Sequence, residues 1–298
     1  MQDNRYRQSE LSAWQRCRRK YTMRYTNNVV PVSIGPRRPA SGKRDAGSAA
    51  HIGVAAINNG LDLSVALQLV TNYVNELRAV RNDDELPPLT KEDDKEWWEI
   101  ERLAQAITTN YVSWGEEGND VGVVYHCVEQ AWEVTIPGTD YIVYGMLDAA
   151  LYDPLVGGDI IRDNKSVASF HQTPEEVDFQ LRTYAWAWWR MTGVVPKRAE
   201  HLMMKRVLGG NAAKPPFFER VPIGITERIL IKHEQVLIAR CDEIAAHQLP
   251  LDDAKLWPNP TKDCSWDCSY RAVCPAIDDG SDWEYMLESE FVTPSDVE

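Results

Sequence analysis

The sequence lacks several features that would assign it to a particular class of protein. It has no apolar run near the roughly 20 residues that cross a bilayer, which argues against a transmembrane protein. It also has no P-loop. In GPRRPASGKR, Gly35 and Gly42 are too far apart and Arg44 stands where Ser or Thr is required, so we expect neither ATP binding nor an ATP-driven motor. With 298 residues, the chain leaves no room for a second full enzyme.

Basic residues are in the minority, with 32 Lys and Arg against 45 Asp and Glu. This balance argues against a generally basic nucleic-acid-binding protein. The distribution is uneven, because residues 1–44 contain 11 Lys and Arg but only Asp3 and Glu10, a local charge of +9. A solvated basic helix explains this segment unless other features point to phosphate.

Cysteine is scarce as well, and the six Cys residues do not suggest a disulfide framework. The first residues, MQDNRYRQSE, have no apolar stretch typical of a secretory signal. We therefore expect a cytoplasmic protein whose thiols stay reduced.

The hydrophobic pattern predicts an α/β chain without internal repeats. Helices are predicted at 9–25, from about 47, over two or three segments within 62–115, at 173–191 and at 226–247; strands are predicted at 121–136, 140–153, 157–169 and 199–208. The organisation predicted from this pattern has five segments: a basic helix and loop (1–44), a helical lobe carrying His51 (45–120), a core (121–250), a cysteine segment (251–277) and an acidic tail (278–298). The tail has eight acidic residues and no Lys or Arg, so we expect it to be disordered.

Two carboxylates and one amine are predicted to converge on neighbouring strands. Of three Asp-x-Lys pairs, only Asp163 and Lys165 end an apolar run typical of a strand. Alternate strand residues face the same side, so these two side chains project together while Asn164 points away. A hairpin through DPLVGG then brings Asp148, in GMLDAAL, within a residue or two of the position opposite Asp163.

Such a group suits a hard divalent cation, since the cation accepts both carboxylates and retains water for chemistry. Mg²⁺ fits this arrangement. On spacing alone, a salt bridge between Asp163 and Lys165 at a sheet edge, or a turn aspartate at position 148, explains the same residues equally well.

Two further patterns lead to a family. His51 lies in GSAAHIGVAAI, four residues after Gly47, and Gln180 and Tyr184 stand four apart on one helix face. Taken in order with GMLD and IIRDNK, these patterns resemble the motifs of the RecB-like branch of the PD-(D/E)XK nuclease superfamily over nearly the whole chain.

The resemblance implies a restriction-endonuclease-like α/β core, in which helices flank a mixed central sheet, with a helical insertion and an iron-sulfur-stapled terminal lobe. It also implies a set of metal ligands: His51, Asp148, Asp163 and the backbone carbonyl of Asn164. An imidazole ligand makes Mn²⁺ an alternative to Mg²⁺.

The resemblance further assigns Lys165 to orienting or activating the attacking water. It implies that Gln180 and Tyr184 position DNA. In this context the basic first segment gains a function, and we expect DNA contacts from three of its residues, namely Arg16, Arg18 and Arg19.

Three cysteines lie close together near the end of the chain, in PTKDCSWDCSYRAVCP: Cys264, Cys268 and Cys274. Four thiolates can hold either a 4Fe–4S cluster or a tetrahedral Zn²⁺, so a fourth ligand must come from elsewhere. The iron-sulfur members of the RecB-like family similarly pair one early Cys with a late cluster, which implies Cys17 and a 4Fe–4S cluster. Cys127 or Cys241 is the alternative if the N-terminal helix docks elsewhere.

The implied reaction is metal-dependent hydrolysis of phosphodiester bonds. We expect a deoxyribonuclease that acts as an exonuclease on DNA ends or single strands, similar to CRISPR-associated and phage-type members, in recombination, repair or phage DNA processing in a bacterial or phage-infected cell. A helicase or recombinase partner is compatible with this role. The alternative is a non-catalytic DNA-binding or assembly subunit, against which the intact Asp148, Asp163 and Lys165 argue.

Overall fold

The computed structural model describes residues 4–31, 42–81, 90–170, 178–208, 214–247, 249–265 and 268–292. The chain divides into two compact units, each built from separated segments of sequence. Unit 1 comprises Met1–Pro39, Thr135–Val143 and Gln235–Glu298, and unit 2 comprises Ala40–Val134 and Tyr144–Glu234. The five consecutive segments predicted from the sequence are therefore regrouped. Unit 1 holds residues 1–39 of the first segment and all of the last two segments, while unit 2 holds the helical lobe and most of the core.

A mixed β-sheet organises unit 2. Strand β3 pairs with β4, and the order continues β4-β5-β6-β7. The bounds are β3 Val124–Thr135, β4 Ile142–Asp153, β5 Gly158–Val167, β6 Arg198–Lys205 and β7 Phe218–Gly224. Strands β4 and β5 form the predicted antiparallel hairpin, while β5 and β6 are parallel. A parallel pair needs a crossover, which helix α6, Phe179–Thr192, provides.

Strand β7 of this sheet was not predicted from the sequence. It ends the strand order and pairs with β6 in the antiparallel direction. Its sequence, FERVPIG, contains the charged Glu219 and Arg220 and also Pro222, which cannot donate to a ladder. These residues suit an edge strand and weaken the apolar alternation by which a strand is recognised.

Three helices complete unit 2: α3 Gly42–Asn58, α4 Leu63–Arg81 and α5 Lys91–Trp114. They share a buried apolar core, as predicted for the segment that carries His51. A Cβ at Gly53 would lie 2.1 Å from Thr108 Oγ1, so only glycine allows α3 and α5 to approach this closely. Among the described helices of the chain, none has the length and apolar character that spanning a membrane requires.

Unit 1 begins with β1, Arg5–Arg7, and with a helix that is interrupted. The prediction of one helix over 9–25 is wrong at Cys17, which has extended backbone between α1, Gln8–Arg16, and α2, Arg18–Tyr21. A π-helical turn, Thr22–Thr26, follows. A continuous helix would separate Trp14 and Arg19 by about 140° around its axis, yet both side chains are buried. The break at Cys17 allows both side chains to be buried.

The remainder of unit 1 includes most of α7, Glu227–Ala245, and the C-terminal elements. These are α8 Val273–Asp279, α9 Trp283–Glu290 and β8 Phe291–Val292, which pairs with β2, Val30–Pro31. The expectation of a disordered tail is therefore wrong for residues 278–292, because Leu287 and Phe291 are buried in an apolar core. The acidic composition concealed the apolar positions that anchor this segment.

Candidate metal centre and active site

The β4–β5 hairpin brings two aspartates and a lysine together in unit 2. Ala149 pairs with Arg162 in an antiparallel register. Asp148, the preceding residue on β4, therefore lies opposite Asp163, the next residue on β5. The Asn164 amide donates to Asp148 Oδ2 over 2.7 Å. On β5, Lys165 Nζ lies 2.9 Å from Asp163 Oδ2. The alternation of strand residues thus brings Lys165 to Asp163, while the backbone of Asn164 reaches across to β4.

His51 and Glu129 complete a group around Asp148, which we call the acidic cluster. His51 Nδ1 lies 3.6 Å from Asp148 Oδ2 and 3.9 Å from Glu129 Oε1. One ligand atom from each of the three residues lies within 4.8 Å of the other two, a spacing that a single ion can bridge. His51 and Asp148 were predicted from the sequence as metal ligands, whereas Glu129 was not.

Glu129 has an unusual backbone for a strand residue. Its φ of 47° is in the left-handed region, which residues other than glycine rarely adopt. Such a residue disturbs the pleat and can redirect a side chain, and strained backbone of this kind concentrates at functional sites. The surrounding HCVEQAW is an ordinary strand sequence without a motif, so no local signal marks this glutamate.

The acidic cluster carries carboxylates that resist ionisation. Burial, together with the charges of Asp148 and Asp163, raises the pKa of Glu129 to about 7. Burial and the charge of Asp163 likewise raise the pKa of Asp148 to about 6, although His51 acts in the opposite direction. Since a nearby cation favours both ionised forms, the cluster is electrostatically suited to bind one.

Asp163 lies in a different environment, which we call the Asp163 network. Its Oδ2 accepts from His201 Nδ1 over 2.8 Å and from Lys165 Nζ, while its Oδ1 accepts from Gln180 Nε2 over 3.0 Å. Burial alone would raise the pKa of Asp163, but the charge of Lys165 and the hydrogen bond from His201 lower it. Asp163 in turn raises the pKa of Lys165 against the effect of burial, so the amine is cationic at neutral pH.

His201 is the second site residue that the sequence analysis missed. It lies on β6 directly beside Asp163 in the parallel register, and it is 3% exposed. Its Nε2 lies 3.6 Å from Oδ2 of Asp178, whose carboxylate caps α6 by accepting from the Leu181 amide. Burial opposes protonation of His201, but its bonds to Asp163 and Asp178 raise its pKa to about 9. A histidine within the apolar run of AEHLMMK was the available signal.

Gln180 contacts both Lys165 and Asp163. Its Oε1 accepts from Lys165 Nζ over 2.8 Å, and its Nε2 donates to Asp163 and, over 2.9 Å, to the Tyr184 hydroxyl. Tyr184 is buried. The pair therefore holds Lys165 and Asp163 in place, and its contact with DNA stays a prediction.

The donor set of the acidic cluster fits a divalent cation. One imidazole nitrogen and two carboxylate oxygens suit Mn²⁺ or Mg²⁺. Within the described residues, the Asn164 side-chain oxygen is buried and has no hydrogen-bond partner. Asn164 lines the same cavity of about 480 Å³ as His51, Glu129 and Lys165.

The arginines predicted to contact DNA lie in unit 1 and differ from one another. Arg16 and Arg18 line a cavity. Arg19 is 3% exposed, donates to the carbonyl of Leu256, and forms a two-pronged ion pair with Asp278 at 2.8 and 3.0 Å. The prediction that Arg19 contacts DNA is therefore wrong, since its guanidinium is used inside unit 1.

Cys17 and Cys274, an early and a late cysteine of unit 1, lie near each other. The residues flanking Cys17 hold the late segment: the Arg16 carbonyl accepts from Asn259, and Arg19 Nη1 lies 3.5 Å from Cys274 Sγ. Cys17 is close enough to Cys274 to act electrostatically on its thiol. Among the residues the structure describes, the cysteines form no group of three metal-ligand atoms within 4.8 Å of one another.

Comparisons with known proteins agree with these observations. The sequence profile of the family described as "PD-(D/E)XK nuclease superfamily" matches residues 7–275. No curated protein has significant sequence similarity to the chain. A solved structure, described as "Crystal structure of SSO0001", matches with a TM-score of 0.36 and 14% identity over 93% of this chain and 88% of that chain. At this degree of likeness the match supports no argument, whereas the family match covers nearly the whole chain.

Proposed function

The chain belongs to the PD-(D/E)XK nuclease superfamily, and on that premise we propose that it is a metal-dependent deoxyribonuclease that degrades DNA as an exonuclease, from ends or in single strands. The observation that carries the proposal is the proximity of the acidic cluster to the Asp163 network. The acidic cluster is deficient in positive charge, and the Asp163 network contains a half-buried, charged lysine. Metal-assisted phosphodiester hydrolysis uses both.

We assign ion binding to the acidic cluster and to Asp163. His51, Glu129 and Asp148 offer atoms at a spacing that one ion can bridge. Asp163 Oδ1 accepts a hydrogen bond from Gln180, and a carboxylate oxygen has a second lone pair for an ion. When bound, the ion would polarise the scissile phosphate and lower the pKa of a coordinated water.

Lys165 stabilises the negative charge that develops on the phosphate. Because Asp163 raises the pKa of Lys165, the lysine carries its proton at neutral pH and acts as a charged hydrogen-bond donor. Gln180 limits the positions open to its Nζ. His201 acts one step away, as a positioning residue that holds Asp163 from β6.

Cleavage of end-labelled DNA tests the proposal. The wild-type protein, Asp163→Ala and Lys165→Ala are incubated with single-stranded and double-stranded oligonucleotides labelled at either end, in Mn²⁺, in Mg²⁺ and in EDTA. We expect metal-dependent, progressive shortening by the wild type alone. Equal cleavage by all three proteins would indicate a contaminant and favour the non-catalytic DNA-binding subunit.

Circular single-stranded DNA separates the mode of cleavage from the activity itself. An exonuclease leaves the circle intact, and a matched linear strand serves as the control. Degradation of the circle would overturn the exonuclease assignment while retaining the nuclease.

We further propose that Cys17, Cys264, Cys268 and Cys274 hold a 4Fe–4S cluster. The bonds from Arg16 and Arg19 to the late segment support the pairing of the chain's two ends. Four thiolates on one tetrahedral Zn²⁺ are the alternative that the same ligand set fits.

Metal analysis after anaerobic purification tests this assignment. We expect about four irons and four sulfides per chain, with loss of iron and of thermal stability in Cys17→Ala. Cys127→Ala is the matched control and should keep its iron. Stoichiometric zinc, or full iron in Cys17→Ala, would contradict the assignment.

DNA is the partner that this function requires. Recombination, repair or phage DNA processing would supply DNA ends, and a helicase or recombinase could present them.

A further inference from the structure

Two neighbouring cavities in unit 1 share one residue, Arg16. The first has a volume of about 420 Å³ and is lined by residues that include Arg16, Arg18, Arg240 and Trp257. The second has a volume of about 320 Å³ and is lined by residues that include Arg16, Lys20, Arg24 and Tyr25. Arg16, at the end of α1, lines both cavities, and we call the residues that line the two cavities the arginine track.

The arginine track carries a strong excess of positive charge. Five cationic side chains line it, namely Arg16, Arg18, Lys20, Arg24 and Arg240. Among the described residues that line either cavity, Glu243 is the single acid, and it pairs with Arg18 at 3.3 Å and accepts from Trp14 Nε1. This imbalance occurs in a protein whose net charge is −13, so it selects for an anionic ligand.

The burial of Arg240 adds to this selection. Burial lowers its pKa to about 10, so the residue stays cationic at neutral pH, and its Nη1 donates to the Leu11 carbonyl over 3.4 Å. A partly desolvated cation gains more from an incoming anion than a fully hydrated one does.

An exposed tryptophan lies beside these cations. Trp257 is 59% exposed, and the Arg18 guanidinium carbon lies 5.9 Å from its ring centroid and 5.0 Å from that of Trp14. Arg18 therefore supports the ring from one direction while much of Trp257 stays open to solvent. Open aromatic rings next to phosphate-binding cations are the features that recognise unpaired bases, since the bases of a duplex are already stacked.

We propose that the arginine track of unit 1 binds single-stranded DNA, with phosphates along the five cations and one unpaired base stacked on Trp257. The inference rests on the proposed function for its choice of DNA as the polyanion. The track belongs to unit 1, whereas the groups assigned to hydrolysis belong to unit 2. We assign the track affinity for the strand rather than chemistry.

The helix break at Cys17 positions this track. Cys17 also lines the first cavity, and its extended backbone ends α1 after Arg16 and starts α2 before Arg18. The two arginines thus lie on either side of the break.

Fluorescence anisotropy in EDTA measures the binding without cleavage. The probe is a labelled oligothymidylate of about 15 nucleotides, which matches the site sizes of single-strand-binding folds. We expect Trp257→Ala to raise Kd about tenfold. Arg16→Gln should raise Kd about fivefold and reduce the salt slope by about one, whereas Arg16→Lys should keep that slope.

Two exposed residues on α5 provide matched controls. Trp98→Ala removes a 53% exposed tryptophan that also stacks with an arginine, Arg102, and Lys95→Gln removes one exposed positive charge. Both variants should bind as the wild type does. Thermal unfolding of each variant shows whether the fold is intact. Because Trp257 is largely exposed, we expect Trp257→Ala to fold normally, so it still tests the inference if Arg16→Gln is unstable.

Three outcomes would overturn the inference: unchanged Kd in both track variants, equal losses in the controls, or a duplex that binds as tightly and responds equally to Trp257→Ala. Failure of the proposed function has a different signature. A protein that binds the single strand through the track but leaves it uncut would refute the nuclease and keep this site. A protein that cuts DNA while the track variants bind normally would refute this site and keep the nuclease.

Discussion

Asp148 and Asp163 lie opposite each other on neighbouring strands, yet their environments shift their pKa values in opposite directions. The pKa of Asp148 is raised to about 6 by burial and by the charge of Asp163, and Glu129 beside it is raised to about 7. The pKa of Asp163 is lowered, because Lys165 and His201 outweigh its burial. One carboxylate is already neutralised by the protein, whereas the other lacks a full counter-charge.

This difference suggests how the two groups divide the work of hydrolysis. The acidic cluster of His51, Glu129 and Asp148 is relieved when a cation arrives, so metal binding compensates its repulsion. The Asp163 network is formed without any ion and keeps Lys165 in place beforehand, which reduces the reorganisation needed during reaction.

Loss of cleavage is the largest effect that we expect, and both aspartates should show it. Asp148→Asn and Asp163→Asn each remove ion binding or its alignment, at a cost of several kcal/mol in the transition state, or on the order of 10³-fold in rate. Single-turnover cleavage of labelled DNA measures this loss. Asp62→Asn on the surface of unit 2 is the control, and the account fails if either active-site variant keeps more than about a tenth of the activity.

The stability of the metal-free protein should separate the two aspartates. Asp163→Asn leaves Lys165 and His201 without their shared counter-charge, which we expect to lower the free energy of unfolding by about 3 kcal/mol. Asp148→Asn removes a repulsive charge and should leave that free energy unchanged or raise it. Urea unfolding in EDTA measures both. Equal destabilisation by the two substitutions would break the comparison.

His201 tests whether the Asp163 network positions the reactive groups. His201→Leu should reduce kcat by about 10- to 100-fold, as is usual for a residue that holds a metal-site ligand. His201→Asn should recover much of the loss, because an amide can also donate to Asp163, and KM should change little in both. A rise in KM together with a fall in kcat, or no recovery of kcat in His201→Asn, would assign His201 a merely structural role.

Metal binding should also depend on pH, because the pKa of Glu129 is raised. Below pH 7 an incoming ion must displace the proton of Glu129, so Mn²⁺ affinity should rise up to about tenfold per pH unit for each displaced proton and level off above pH 7. Glu129→Gln should flatten the upper part of this rise. Calorimetric titration from pH 5 to 8 measures it, and an identical profile for both proteins would contradict the raised pKa.

The same shift predicts the sign of a stability change. The folded, metal-free protein holds the Glu129 proton more tightly than the unfolded chain, whose pKa is near 4.5. The free energy of unfolding, taken as wild type minus Glu129→Gln, should therefore fall as pH rises from 4.5 to 7.

The parts of the site that the sequence predicts are those that follow from local periodicity. Asp163 and Lys165 share a face because strand residues alternate, and a tight hairpin brings Asp148 opposite Asp163. Glu129 was not predicted, because the direction of its side chain depends on a left-handed φ that no local sequence pattern encodes. His201 was not predicted, because its contact with Asp163 depends on the parallel pairing of two strands that a helix separates in the sequence.

The fold shows the same division between local and long-range information. The helix around Arg19 reads from sequence as a uniformly basic face, but an ion pair with Asp278, far along the chain, buries this arginine and accompanies the break at Cys17. The acidic segment after residue 278 reads as solvated, yet Leu287 and Phe291 anchor it. In both cases the deciding partner is too distant for any pattern within the segment.

Anomalous diffraction from crystals soaked in Mn²⁺ tests the central claim most directly. We predict a peak bounded by His51 Nδ1 and by carboxylate oxygens of Glu129 and Asp148, with bonds of about 2.0–2.3 Å. An anomalous peak elsewhere in unit 2, with those three side chains unliganded at saturating Mn²⁺, would contradict the account.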